Sequence, residues 1–331
     1  MPRADGMRLR PGGEFERIRH ILAAAPGLGP DVVIPAGDDA AVLKGGQWTI
    51  SVDMSVEEVH FRRDWLTGAE IAFRAVMAAA SDMAAMAADP RAVLASIALP
   101  EGVDEFGSEL GEGLGEACSF LGVALVGGDL TRSPGPVVID IVVLGRVDDP
   151  VSRAGAKAGD EVWVTGVLGG SAAAVKLLDA GDTLSPELRD VFARPLPRIA
   201  EALWLREHAE LRGLIDLSDG LGGDAGHLAA ASGLGIKLDW ASVPVDPLSE
   251  KALGPRVARD LAVTGGEDYE LCCVLPAGEG DALAPEFRVK FGLPLTRVGW
   301  VHEGSGVRVV DLDGREHAAR GYDHFRGGQH P

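Results

Sequence analysis

The sequence predicts an α/β protein of α+β character in two domains, and three observations predict it. Strand-like and helix-like patterns alternate through the first half. The pattern resets near Asp148-Asp149-Pro150, where a second alternating run begins, dividing the chain into residues 1–150 and 151–331. The 331 residues, 46% apolar and 24% charged, suffice for two cores and belong to a globular rather than a disordered chain.

Each element has its own warrant. Phe15, Ile18, Ile21 and Leu22 share one face of an opening helix over Glu14–Ala25. Trp48–Asp53 alternates as a strand and carries Asp53 near its end. Ala69–Ala88 reads as a long helix of small residues, against which neighbouring backbone can approach closely, and Asp82 rides on it. A strand over Arg91–Leu99, a helix over Asp104–Leu121 and a strand over Val123–Val126 lead into Gly127-Gly128-Asp129; Val137–Leu144 is a further strand. In the second half Glu161–Thr165 reads as a strand, followed by a glycine-rich turn at Gly166–Gly170 and a helix. Helices are expected over Pro186–Arg194 and Pro197–Glu210 and from about Gly222, with strands over Gly235–Trp240 and Tyr269–Leu275.

Composition excludes several classes. A formal net charge of −19 disfavours nucleic acid and anionic membranes as partners. Three cysteines, of which Cys272 and Cys273 are strand neighbours pointing to opposite faces, give neither a zinc spacing nor a disulfide framework. The N-terminal stretch lacks an apolar signal core, and Ala69–Ala88 carries Glu70, Arg74 and Asp82, so neither secretion nor a membrane span is expected. The expectation is a cytoplasmic protein.

Five short aspartate motifs carry the chemistry: Gly37-Asp38-Asp39-Ala40, Ser51-Val52-Asp53, Ser81-Asp82, Gly127-Gly128-Asp129 and Asp216-Leu217-Ser218-Asp219-Gly220. A single Ser-Asp or Asp-Gly is more often a cap or a turn than a ligand. Five together, at element ends and beside glycine, are poorly explained that way. Hard oxygen donors from several segments suit Mg²⁺ completed by substrate phosphates. No P-loop and no protein-kinase signature is present, and the chain has only six lysines. If polyphosphate is bound, metal ions rather than lysines must neutralise it. From the residues alone His60 reads as a substrate contact or a partly buried ring, Arg153 as a solvated side chain or a phosphate clamp, and Gly265–Glu270 as a solvated turn.

Taken in order, GDDAAV, SVDMSVEEVHF, SDMAAMAADP, GGDLTR, SRAGAKAGD, RPLPRI, DLSDGLGGDAGHL, GGEDYEL and GYDHF span nearly the whole chain. The set resembles the thiamine-monophosphate kinase family, within the aminoimidazole ribonucleotide synthetase-like superfamily. The resemblance implies a dimerising N-terminal sheet domain, a C-terminal α/β domain, and transfer of the ATP γ-phosphoryl group to thiamine monophosphate. It implies magnesium ligands at Asp39, Ser51, Val52, Asp53, Asp82, Asp129, Asp216 and Asp219, with Asp53, Asp82, Asp129 and Asp216 central to catalysis. It further implies ATP contacts at Gly128, Asp129, Arg153 and Ser218, and thiamine-side contacts at His60, Glu267 and Tyr322. Two departures stand. Many members carry Thr where this chain has Val52, which leaves only a backbone carbonyl as ligand. Some also have an aromatic adenine contact near Gly111, which this chain lacks. A sister synthetase of the superfamily and a noncatalytic nucleotide-binding homologue are the alternatives. The first is weakened, for selenophosphate chemistry, by the lack of any Cys before Cys118, and for hydrogenase maturation by an ending in Gly-Gly-Gln-His-Pro. The second predicts eroded metal motifs, whereas all five stand.

Overall fold

A computed structural model describes residues 32–34, 38–45 and 47–319. The helix expected over residues 14–25, and Tyr322, lie outside these residues. The first sheet contains β1 (Val32–Ile34), β2 (Ala41–Leu43), β3 (Trp48–Val56), β4 (Asp89–Leu99), β5 (Ala124–Arg132) and β6 (Val138–Arg146). Its order is β1-β2-β3-β6-β4-β5, antiparallel except for β4 with β5. α1 (Gly68–Ala85) and α2 (Asp104–Leu121) join this layer, and their apolar side chains fill the core with Val93, Ile139, Ile141 and Val143.

α1 begins with a reciprocal cap in which Thr67 accepts from the Glu70 amide and Glu70 accepts from the Thr67 amide. Its run of alanines lets α2 come close: a Cβ on Gly113 would sit 2.1 Å from the carbonyl oxygen of Ala69. Three strands run on beyond the sequence expectation, β6 by two residues to Arg146 and the other two further. β3 extends to Val56, so Asp53 lies within the strand. β5 continues through the Gly127-Gly128-Asp129 motif to Arg132, because Val126 is accommodated as a bulge between the Val93–Leu125 and Leu94–Gly127 pairs. A side chain at Gly128 would meet the Ala95 carbonyl at 1.9 Å, so only glycine fits beside β4.

The second sheet has β7 (Glu161–Thr165), β8 (Gly213–Asp216), β9 (Gly235–Asp239), β10 (Leu271–Leu275), β11 (Leu295–His302), β12 (Gly306–Val310) and β13 (Glu316–Ala318). Its order is β13-β12-β9-β11-β7-β10-β8. β7, β8 and β10 are buried along their whole length, which is why they read as continuous apolar runs rather than alternations. Cys272 and Cys273 are both free thiols and enter two different core clusters, as neighbours on a strand must. The helices are α3 (Gly170–Asp179), α4 (Pro186–Ala193), α5 (Ile199–His208), α6 (Leu221–Ser232), α7 (Pro247–Leu253), α8 (Pro255–Thr264) and α9 (Glu279–Phe291). α1 also contacts α5 and β8, so one helix of the first layer abuts the end of a strand in the second. That contact places the site. Among the described residues no helix is long and apolar enough to cross a membrane.

Candidate active site

Carboxylates from both sheets meet where α1 abuts β8. Asp39 follows the bridge that precedes β2, Asp82 lies on α1 and Asp216 ends β8; ligand oxygens of the three lie within 4.8 Å of one another. Asp216 is buried, and Ser51 of β3 donates its hydroxyl to Asp82. Like charges crowded out of water hold their protons. Burial, then the charges of Asp216 and Asp39, keeps Asp82 well above the usual carboxylate range. Asp216 is pushed up to about 7 by burial and by Asp39, against the pull of Ser81 and Arg153. Asp53 rises to about 6 through burial and the nearby charge of Glu267. Arg153 closes the cluster from the start of the second half: its Nε and Nη2 donate to the two oxygens of Asp39 at 2.8 and 2.7 Å. Its amide donates to Asp38 at 3.1 Å.

A second group stands beside the first. Asp219, Asp224 and His227 also bring ligand atoms within 4.8 Å of one another, and the Asp219 amide donates to Asp224 at 3.0 Å. Sequence reasoning placed Asp219 but assigned no role to Asp224 and His227. Their three-residue spacing at the start of α6 puts them on one helix face, a signal available in DLSDGLGGDAGHL.

The carboxylates open onto a cavity of about 720 Å³. Val52, Asp53, His60, Ser218, Asp219 and Glu267 are all among its lining residues, so most of the expected site is gathered in one place. His60 is fixed by accepting the Val56 amide at Nδ1, 3.1 Å, which leaves the proton of the neutral ring on Nε2. Gly128 and Asp129 are not brought there; they lie on β5, exposed at the sheet edge.

The acidic run Glu267-Asp268-Tyr269-Glu270 is no solvated turn. Its three carboxylates are held by three different elements. Glu267 Oε1 pairs with Arg74 Nη2 of α1 at 2.5 Å. Asp268 accepts the Gly169 amide at 2.9 Å, ahead of α3. Glu270 takes both guanidinium donors of Arg198, at 2.8 and 2.6 Å, and the Thr165 hydroxyl at 2.6 Å. Backbone bonds from Glu267 to Ser218 and from Tyr269 to Leu217 tie the segment to the aspartate motif. Glu267 and Tyr269 adopt φ of +68° and +51°, a conformation costing about 1–2 kcal/mol per residue outside glycine. The long-range bonds offset that cost. Arg74, buried under Glu267 with its guanidinium 4.4 Å from the centre of the Phe192 ring, is a lining residue that sequence reasoning passed over.

The sequence matches the AIR synthase related protein family, its N-terminal domain over residues 37–147 and its C-terminal domain over residues 157–311. It is 34% identical over 328 residues to the thiamine-monophosphate kinase of Escherichia coli (strain K12), covering 95% of this chain and 98% of that one. The chain belongs to the thiamine-monophosphate kinase family. A Methanopyrus kandleri member is 35% identical over 307 residues, covering 91% of this chain and 93% of its own. Among solved structures of the family, AaThiL complexed with AMPPCP and TMP superposes with a TM-score of 0.81 at 29% identity, over 95% of this chain and 97% of that one. The Stenotrophomonas maltophilia K279a enzyme gives 0.75 at 34% identity, over 91% and 96%. Hydrogenase maturation protein HypE in complex with ATP, at 21% identity and a TM-score of 0.71, shares the fold with the family.

Proposed function

We propose that this chain is a thiamine-monophosphate kinase that moves the γ-phosphoryl group of ATP onto thiamine monophosphate, giving thiamine diphosphate and ADP. One observation carries the reading: Asp82 and Asp216, clustered with Asp39, open onto the same cavity as Asp53, His60 and Glu267. The all-oxygen donor set fits Mg²⁺, and the raised proton affinity of Asp82 and Asp216 is what such a set has without a cation. Asp39, Asp53, Asp82 and Asp216 would hold ions nearest the phosphates, Ser51 and the Val52 carbonyl would support them, and Asp219 would take a further one. Bound there, Mg²⁺ would shield phosphate charge and polarise phosphoryl oxygens.

The chain's own groups then have limited tasks. The nucleophile is a phosphate oxygen already anionic near neutral pH, so no side chain is needed as general base. Acceleration has to come from alignment and charge compensation. Arg153, beside the carboxylates, and Ser218, on the cavity wall, would serve ATP, and His60 the acceptor. Glu267, on the cavity wall with Phe192 and Tyr269, suits the cationic thiazolium ring. We read the chain as dividing near residue 150, acting in the cytoplasm and pairing as a homodimer. The dimer reading is supported by β5, exposed along its whole length with Leu125, Val126 and Leu130. A second copy covering that strand would place Gly128 and Asp129 in an interface, where they would serve ATP.

The test is incubation of purified protein with thiamine monophosphate, ATP and MgCl₂, following thiamine diphosphate and ADP by chromatography. Parallel samples hold free thiamine as acceptor, or EDTA in place of magnesium. Equal amounts of both products from the monophosphate alone, lost with EDTA, are expected. ATP binding by folded protein with no product would transfer the reading to a sister synthetase or a noncatalytic role.

A further inference from the structure

Arg74 is the one buried arginine of α1, and nothing in the phosphate chemistry accounts for it. Its Nη1 donates to the Phe192 carbonyl of α4 at 2.6 Å, while its Nη2 lies 2.5 Å from Glu267 Oε1. The guanidinium also stacks over Phe192 and lies 6.0 Å from the centre of the Tyr269 ring. An arginine hydrogen-bonded at Nη1, ion-paired at Nη2 and stacked along its face loses its freedom to follow a ligand. It can only hold what it touches.

What it touches is Glu267, on a backbone in the left-handed region and with its side chain partly exposed to the cavity. Arg74, Ala78 and Asp82 all line the cavity at successive four-residue intervals, so they form one stripe on α1. Eight residues of helix rise about 12 Å. One end of the stripe therefore carries Asp82, in the carboxylate cluster, and the other carries the Arg74–Glu267 pair. On the helix itself only the methyl group of Ala78 stands between them, while Asp53 of β3 lines the same cavity near both ends, so a ligand can lie along the helix.

We infer that Arg74 is a positioning residue for the acceptor: it fixes the Glu267 carboxylate at a set distance from the carboxylate cluster, and so selects an acceptor with a phosphate at one end and a cationic ring at the other. This rests on the kinase reading above and adds to it the residue that sets the acceptor's length and orientation. ATP should respond less than the acceptor to Arg74: the pair stands about two helical turns from Asp82, and it meets the phosphate side through Asp53 and the backbone of Ser218.

The experiment measures kcat and the separate KM values for thiamine monophosphate and ATP in the wild type, Arg74→Met, Arg74→Lys, Glu267→Gln and the double variant Arg74→Met/Glu267→Gln. Each protein is first checked by thermal unfolding. For Arg74→Met the KM for thiamine monophosphate should rise about tenfold or more, with the KM for ATP within about twofold and kcat at saturation within a few-fold. Arg74→Lys, which keeps charge but not the two-point hold, should fall between. The double variant should be no worse than the poorer single one, since both remove one interaction. It also removes the unpaired charge that either single change leaves, the partly exposed Glu267 carboxylate or the buried Arg74 guanidinium, so its fold is preserved if a single variant's is not. Equal rises in both KM values, an unchanged KM for thiamine monophosphate, or additive losses would overturn the inference. A wild type without product would instead sink the kinase reading, which keeps the two failures distinct.

Discussion

Asp216 ends a fully buried strand with its carboxylate beside two others, and that position is unfavourable until a cation arrives. Asp216→Asn keeps the shape and removes the charge; turnover should fall by at least ~100-fold. The melting temperature in EDTA should hold or rise, since repulsion is relieved. Asp53→Asn should behave alike, and near-normal turnover in both variants would sink the metal role. The pH response has a definite sign. Asp53 and Asp216 bind protons more tightly folded than unfolded, with values raised from 3.8 to about 6 and about 7. Their contribution to stability is therefore complete below about pH 4 and is lost as pH rises through 6 to 7. Thermal unfolding in EDTA should give a lower melting temperature at pH 8 than at pH 5.5, and MgCl₂ should raise it more at pH 8. A metal-free melting temperature that climbs across that interval would contradict the cluster's electrostatics. At this scale the sequence was informative about charge: the aspartate motifs announced themselves by residue type and by their glycine and serine neighbours. Arg74 did not, because an arginine in an alanine-rich helix reads as solvated, and only Glu267 and Phe192, distant in sequence, reveal it as buried.

Elements carry these residues to one another, and α1 does most of that by being thin. Its small residues let α2 cross at Gly113 and let the cavity run along Ala78. Gly113→Val would drive a branched side chain into the Ala69 carbonyl. Overpacking of this kind costs about 1–3 kcal/mol, which a denaturant midpoint would register. A shifted α1 should also weaken turnover through Asp82, whereas Gly111→Ala, with open space around it, should change neither. Equal stability of the Gly113 variant and the wild type would mean that the two helices do not bear on each other so closely. Helices and strands with a strong period or a continuous apolar run were legible, and Asp104–Leu121 and Glu161–Thr165 match the structure end for end. Those with neither were not. β1 and β2 are three residues each, β13 is three exposed residues, and β11 breaks its alternation with a bulge between Arg297 and Gly299. The GGEDYEL segment was misread as a solvated turn for a related reason. Its partners Gly169 and Arg198 are 99 and 72 residues away, so local patterning carries no trace of them.

In the whole molecule, two sheets share one helix, and the site exists only because α1 reaches β8. One expected piece of it stays apart: Asp129 lies on β5, at the opposite edge of the first sheet from β1, with β6 and β4 between it and β3 with its Asp53. An edge strand exposed along its whole length, with Leu125, Val126 and Leu130 uncovered between its charged positions Asp129 and Arg132, is open to pairing with a second copy. A net charge of −19 opposes association in general, so the proposed pairing would rest on a specific apolar contact. Leu130→Glu adds a charge to the most exposed of the three. Light scattering after size exclusion should give twice the chain mass for the wild type and the single-chain mass for the variant. If Asp129 works through the pair, the variant should also lose turnover while keeping its melting profile and its affinity for thiamine monophosphate, whose proposed contacts lie elsewhere. A wild type at single-chain mass with full turnover would refute the dimer and would require Asp129 to have no part in the reaction. A monomeric but fully active Leu130→Glu would separate the two, leaving assembly intact as a property of the fold and removing it from the chemistry.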